Sequence, residues 1–320
     1  MSFKFKKFSL IGAGNIGGHL ASIISSKNLC DEILLVDIFE GLAKGKALDL
    51  TQSNTLIDSS TKFFGTKDLS EIQDSDVIIV TAGISRKPGM SRDDLIETNL
   101  VVMKEIGLAI KDYSPSAFVI CVTNPLDAMV WSLKYISGLK KNMIVGMAGV
   151  LDSARLKFFL SSEIKVSEKN ISAMVLGGHG DTMVPLLKYT TVSGIPILEL
   201  IEKGFITEDQ ITKIIERTRK GGGEIVKLLE NGSAFFAPAT SAVEIAESYI
   251  KDEKKLIPCS VFLEGEYGIN DLFVGVPIII GKNGVERIVE LNFDKIESDN
   301  FSKSVSAVNE LTKKCKKLLE

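Results

Sequence analysis

The chain has 320 residues, 45% of them hydrophobic and 25% charged, with a formal net charge of -3. That length allows a large core split between two domains. The mild acidity argues against nucleic acid as the main partner, which would need a concentrated basic face. The lysine clusters at Lys4, Lys6 and Lys7 and at Lys313, Lys314, Lys316 and Lys317 are terminal, and a solvated terminus explains them. No segment reaches the roughly 20 apolar residues of a membrane helix. The basic start runs straight into Gly12 and Gly14 without a cleavage-like site. Cys30, Cys121, Cys259 and Cys315 form no CxxC pair, so they read as buried thiols of a reducing, cytoplasmic compartment and not as a disulfide or zinc framework.

In chain order, Lys7 to Ile11 is a short apolar strand. It breaks into Gly12-Ala13-Gly14-Asn15-Ile16-Gly17, and His19 to Ser26 follows as a helix. This is G-x-G-x-x-G between a strand and a helix. The first glycine permits the turn and the second lets backbone approach a pyrophosphate. The third lets the helix pack closely on the strand, with its N-terminus facing the anion. A second strand, Glu32 to Val36, ends in Asp37, whose carboxylate can accept from both hydroxyls of an adenosine ribose and would repel a 2′-phosphate. Ile38 and Phe39 offer such a phosphate no positive charge, so NAD is favoured over NADP. His19 reads as a surface or packing residue.

Strands are then predicted at Val77–Val80, Ala117–Val122 and Met143–Gly146, with helices from about Leu95 to Lys111 and from about Asp127. Uniformly apolar strands alternating with helices indicate a parallel sheet covered on both faces. In such a sheet, ligands bind beyond the carboxyl ends of the strands. The loop after Val80 carries Arg86, Lys87 and Arg92 about a Pro88-Gly89 turn. A solvated loop explains that composition; at the binding edge, however, guanidinium forks match carboxylates, and a mobile loop could close over an anion. After the next strand, Thr123-Asn124-Pro125 offers an amide to a hydroxyl or carbonyl. Asp152 and Arg155, three apart, share a helix face; a capping Asp and a surface Arg would also account for them.

An apolar run, Ile171 to Leu176, reads as a strand leading into Gly177-Gly178-His179-Gly180-Asp181. Histidine between bare backbone segments is placed to meet a ligand and suited to trade protons near neutral pH, although a satisfied loop histidine fits this stretch alone equally well. Lys220-Gly221-Gly222-Gly223-Glu224 lacks the strand and the Gly-Lys-Ser/Thr of a phosphate loop, so close passage of a helix backbone is expected there. Cys259 to Leu291 reads as antiparallel strands with a hairpin turn at Asn283-Gly284, and Phe301 to Leu319 as a closing amphipathic helix. No metal-ligand cluster is visible in the sequence.

GAGNIG, the aspartate at 37, VTAGISRKPGMSRDDL, VTNP, LDSARL and GGHGDTMVP occur in this order. With them the chain resembles the lactate/malate dehydrogenase family along essentially its whole length, and within it the bacterial, lactate-dehydrogenase-like branch that acts on malate. The resemblance implies an α/β fold, with a doubly wound Rossmann-type NAD-binding domain at 1–148 and an α+β substrate domain at 149–320. It also implies that His179 transfers the proton with Asp152 as its carboxylate partner, in preference to the nearby Asp181. Arg155 would clamp the substrate carboxylate, Arg92 polarise the carbonyl, and Arg86 hold the second carboxylate of malate or oxaloacetate where lactate enzymes typically carry Gln. Asn124 would meet substrate and cofactor. Cofactor contacts are implied at Gly12, Ala13, Gly14, Asn15, Ile16, Gly17, Asp37, Asn99, Val122 and Thr123, and Ser233 to Ser241 would border the substrate. The expected activity is reversible, NAD-dependent oxidation of malate to oxaloacetate by a homodimer or homotetramer. A lactate or broader 2-hydroxyacid dehydrogenase is the alternative within the family, and a non-catalytic NAD-binding protein the alternative outside it.

Overall fold

The computed structural model describes residues 6–84, 92–230 and 232–320, with the backbone alone at 92 and 93. Its centre is a nine-stranded sheet. The first part alternates strands and helices: β1 (Lys7–Ile11), α1 (Asn15–Ser26), β2 (Glu32–Val36), α2 (Glu40–Ser53), β3 (Lys62–Thr66), β4 (Val77–Val80), α3 (Arg92–Tyr113), β5 (Phe118–Cys121), α4 (Leu126–Ser137) and β6 (Ile144–Gly146). These strands lie parallel in the order β3-β2-β1-β4-β5-β6. The carboxyl ends of β1 and β4, neighbours in the sheet but not in the chain, therefore open a crevice at the switch point, where a doubly wound sheet binds ligands.

The strands are apolar because both faces of the sheet are covered. Phe8, Leu10, Ile33, Leu35, Val77 and Ile79 pack in one core with Leu20 and Ile24 of α1. Ile11, Leu34, Val36, Ile78 and Val80 alternate with them and pack in a second core under α3 and α4. All four side chains of β4 are fully buried. Each such burial contributes roughly 1.5–3 kcal/mol before conformational entropy is subtracted.

The second part continues with α5 (Gly149–Ile164), β7 (Ile171–Ser172), β8 (Val175–Leu176), β9 (Val184–Pro185), β10 (Thr191–Val192), β11 (Ile195–Pro196) and α6 (Ile197–Glu202). It then runs through α7 (Glu208–Leu229), α8 (Phe236–Lys251), β12 (Lys255–Glu264), β13 (Asn270–Gly281), β14 (Gly284–Ile288) and α9 (Lys295–Leu319). It has a core of its own, in which Leu156, Leu160, Val175, Ile197, Ile211 and Ile214 come together. It also extends the first sheet: β12 pairs antiparallel with β6 through Ser260 and Gly146, and β13 and β14 follow, also antiparallel. The two parts thus share one sheet.

Three expectations need correction. The run Ile171 to Leu176 is not one strand: β7 joins β10, whereas β8 pairs with β9. The hairpin between β13 and β14 closes on the pair Gly281–Gly284, so its central residues are Lys282 and Asn283. The positive φ falls on Gly284, at +80°, and not on Asn283. The helix expected from His19 begins at Asn15, directly after the glycine turn.

Helix α7 carries Gly221-Gly222-Gly223 in its interior. Glycine costs about 1 kcal/mol relative to alanine at each such position, so the run has to be accounted for by what passes beside it.

Candidate active site

Sequence-local backbone builds the mouth of the crevice after β1. Gly12 has φ +105°, and a Cβ there would lie 2.6 Å from Thr81 Oγ1 and 2.7 Å from the Ala82 nitrogen. A Cβ on Gly17 would lie 1.9 Å from the Gly12 carbonyl oxygen, so this glycine lets α1 press onto the turn. Gly14 differs: a Cβ there would meet no other described residue within 4 Å beyond its chain neighbours. The bare backbone faces open space at the N-terminus of α1, which has no side-chain cap and no acidic residue in its first turn. Such an end presents unpaired N–H groups to an anion, and the residues fit a dinucleotide pyrophosphate. Asn15 opens α1, and Ile16 lines the cleft. Asp37 follows β2, with Oδ2 accepting from the Ala13 N–H (2.8 Å) and Oδ1 from the Phe39 N–H (3.0 Å). Lys46 of α2, which sequence reasoning did not single out, donates to the Gly14 carbonyl at 2.6 Å; burial pulls its pKa down.

The cleft continues past the ends of β4, β5 and β6 for a volume of about 1600 Å³, lined in part by Val122, Thr123, Asn124, Met147, Arg155 and His179. Thr123 Oγ1 donates to the Ala82 carbonyl at 2.7 Å. Asn99 is fully buried on α3. Its Nδ2 donates to the carbonyls of Asn124 (2.7 Å) and Ile84 (3.2 Å), and its Oδ1 accepts from the Ile84 N–H (2.8 Å). Its amide therefore braces the strand ends that line the cleft. Ser233, Ala234 and Pro238, from the segment Ser233 to Ser241, also line it. His19 packs edge-on against Phe236, ring centroids 4.8 Å apart, as a packing residue would.

His179 sits in the loop between β8 and β9, and four elements hold that loop. Gly177 exchanges backbone hydrogen bonds with Gly275 of β13 (2.8 and 3.0 Å). The Gly178 N–H donates to Ser304 Oγ of α9 at 2.8 Å, and the His179 N–H to Asp127 Oδ2 of α4 at 2.8 Å. The ring itself meets α5, with Nδ1 2.8 Å from Asp152 Oδ2. Asp152, only 2% exposed, also accepts from Arg155 Nη1 at 3.1 Å through Oδ1. Arg155 Nε is buried and has no hydrogen-bond partner among the described residues. His179, Asp152 and Arg155 thus form one connected group, whereas Asp181 lines the cleft without meeting the ring. Asp152 lies within the first turn of α5 and does not cap it.

Burial works against charging the imidazole, but the Asp152 carboxylate beside it, with Asp127 behind, outweighs burial and lifts the His179 pKa above the usual histidine range. Asp127 was not recognised from sequence beyond its place near a helix start. Helix α4 is buried at every position from Leu126 to Leu133, which carries Asp127 into the interior. There burial pushes its carboxyl up, against the hydrogen bonds from Ser260 Oγ (2.6 Å) and the His179 N–H. Arg219 of α7 lines the same cleft and donates from Nε to the Met183 carbonyl at 3.1 Å. Arg86 and the side chain of Arg92 lie outside the described residues. No His, Cys, Asp and Glu cluster among the described residues could hold a metal ion.

Comparison with known proteins matches residues 6–146 to the lactate/malate dehydrogenase NAD binding domain and residues 149–320 to the lactate/malate dehydrogenase alpha/beta C-terminal domain. The malate dehydrogenase of Pelagibacter ubique is 55% identical over 98% of this chain and 98% of its own. That of Methylobacterium radiotolerans is 54% identical over 97% of each. Among solved structures, Cryptosporidium parvum malate dehydrogenase superposes with a TM-score of 0.96 at 48% identity, covering 98% of this chain and all of that one. The lactate dehydrogenase of the same organism, solved with lactic acid and β-nicotinamide adenine dinucleotide, superposes at 0.95 with 43% identity, covering 98% and 99%. The chain belongs to the lactate/malate dehydrogenase family.

Proposed function

We propose that the chain is an NAD-dependent malate dehydrogenase that interconverts (S)-malate and oxaloacetate, the reaction of the tricarboxylic acid cycle. The observation that carries this reading is the His179–Asp152–Arg155 group at the wall of a cleft that reaches Ile16 of the glycine turn. Identity of 55% to a malate dehydrogenase over nearly the full length supports it.

In this reading Gly12 to Gly17, Asp37, Val122, Thr123 and Asn124 would hold the dinucleotide, with Asn99 bracing Asn124. The nicotinamide, when bound, supplies the hydride acceptor for malate oxidation and the donor for the reverse. Asp152 takes the Nδ1 proton of His179 in a hydrogen bond, which fixes the tautomer and leaves the Nε2 lone pair to accept the hydroxyl proton. Ionised Asp152 then stabilises the imidazolium. In the reverse direction the imidazolium and Arg92 meet the negative charge growing on the carbonyl oxygen. Arg155 clamps the carboxylate next to the reacting carbon. Arg86 neutralises the second carboxylate, which would cost several kcal/mol to bury unpaired.

The division at 148/149 belongs to the same reading and is supported by the family models meeting between residues 146 and 149. So does assembly into a homodimer or homotetramer. A cytoplasmic location suits four free, buried cysteines; no helix among the described residues is long and apolar enough to cross a membrane.

The test is NADH oxidation followed by absorbance with oxaloacetate and with pyruvate. Turnover of oxaloacetate in strong preference to pyruvate is expected. Preference for pyruvate would make the chain a lactate dehydrogenase, and inactivity on both a binding protein.

A further inference from the structure

We propose that Gly221 and Gly222 of α7 are positioning residues: the absence of their side chains makes the slot in which Arg155 lies, and so sets the angle at which the guanidinium receives the substrate carboxylate. This rests on the reading of Arg155 as the carboxylate clamp. The three atoms nearest to a Cβ built on Gly221 are Arg155 Cδ at 3.1 Å, Nε at 3.4 Å and Cγ at 3.8 Å. For Gly222, beyond the helix's own backbone, the atoms of the described residues within 4 Å of such a Cβ are Arg155 Nη2 at 3.5 Å and Nη1 at 4.0 Å. Two successive glycines therefore face one and the same side chain along its length. On its other side Arg155 is tied to Asp152 through Nη1, so it lies between a carboxylate that cannot follow it and a helix backbone.

A contact at 3.1 Å is tight enough that a neighbour must give by a few tenths of an ångström. The neighbour here is a flexible side chain and not backbone, so Arg155 is the part that yields. Pushed at Cδ while held at Nη1, the guanidinium turns. A bidentate fork loses its match to a carboxylate within about 10–20° of misorientation. Gly223 provides the contrast, because a Cβ there would meet no other described residue within 4 Å beyond its own helix backbone. All three positions lie in the interior of one helix and carry the same propensity penalty, but only the first two lie against the arginine.

The test is the series Gly221→Ala, Gly222→Ala and Gly223→Ala in the full-length enzyme, with KM for oxaloacetate, KM for NADH, kcat and Tm measured for each. Helix propensity alone predicts that every variant melts higher, by roughly 1–2 °C. The slot predicts in addition that Gly221→Ala raises KM for oxaloacetate about 3–10-fold with kcat and KM for NADH nearly unchanged, the signature of lost binding. Gly222→Ala should do less, and Gly223→Ala should stay within about twofold of the wild type. In an Arg155→Lys background the effect of Gly221→Ala should vanish, since a contact with no guanidinium to turn has nothing to transmit. An unchanged KM for oxaloacetate in Gly221→Ala, an equal rise in all three variants, or an effect that persists with Lys at 155 would overturn the slot. If Arg155→Lys itself leaves KM for oxaloacetate unchanged, the clamp assignment fails, and the slot with it.

Discussion

At Gly12 to Gly17 the binding surface is backbone: a glycine that turns the chain, one that faces open space and one that admits the helix, all within six residues. At His179 the surface is side chains, and they come from everywhere else. Asp127 and Asp152 precede the histidine by 52 and 27 residues, Gly275 and Ser304 hold its loop from β13 and α9, and α7 passes along Arg155. The difference has a physical basis. An anion held by unpaired N–H groups needs only a helix end and room, which a short segment can provide. A proton relay needs a base, a carboxylate and a cation at fixed mutual angles inside a low-dielectric wall, which no short segment can supply. Changes at the two ends should therefore fail differently: the cofactor end through shape and stability, the relay through rate.

The largest effect is expected at the relay. His179→Asn removes the proton acceptor and should lower kcat/KM for malate and oxaloacetate by about 10²–10⁴-fold, while NADH binding, read by fluorescence titration, stays near the wild-type value. Comparable loss of NADH binding would mean that the two ends are not separable. Arg86→Gln should lose oxaloacetate turnover by about two orders of magnitude or more and gain some turnover of pyruvate, since a buried carboxylate left unpaired costs several kcal/mol. That expectation rests on sequence, position 86 lying outside the described residues; unchanged specificity in paired assays would remove Arg86 from the site.

The cofactor end can be tested within a single motif. Gly17→Ala would press a methyl against the Gly12 carbonyl and should cost about 1–3 kcal/mol of stability in denaturant titration. Gly14→Ala has open space and φ -67°, so stability should hold while the Kd for NADH rises about tenfold, because the methyl occupies the anion's approach. Equal destabilisation by both would show that the turn is merely tight and not shaped for a ligand.

These differences also explain what the sequence made legible. Strands β1, β2, β4 and β5 were readable because both faces are buried and nearly every residue is apolar. Strand β3 passed unnoticed because it lies at the sheet edge, with a lysine at its start, Phe64 exposed and Gly65 inside it. Helix α2 went unnoticed because it buries only Ala43 and Ala47 and so has no apolar stripe. The pairing of His179 with Asp152 was suggested by family resemblance, and the geometry agrees with it. Asp127 gave no such signal: its partners are a backbone N–H and a serine 133 residues away. The role of the KGGGE glycines was half visible. Close passage could be expected, but not that Arg155 is what passes.

The measurement that bears most directly on the account is the pH dependence of kcat/KM in both directions, for the wild type and for Asp152→Asn. Oxidation needs neutral His179, so its rate should rise with pH through the histidine's raised pKa, above the ordinary value near 6.5. Reduction needs the imidazolium and should fall through the same midpoint. In Asp152→Asn the charge that lifts this pKa is gone while burial, which lowers it, remains. Both midpoints should then move to lower pH, with slower turnover throughout. Profiles that run in parallel in the two directions, or midpoints that stay in place in Asp152→Asn, would contradict a proton relay built on His179 and Asp152.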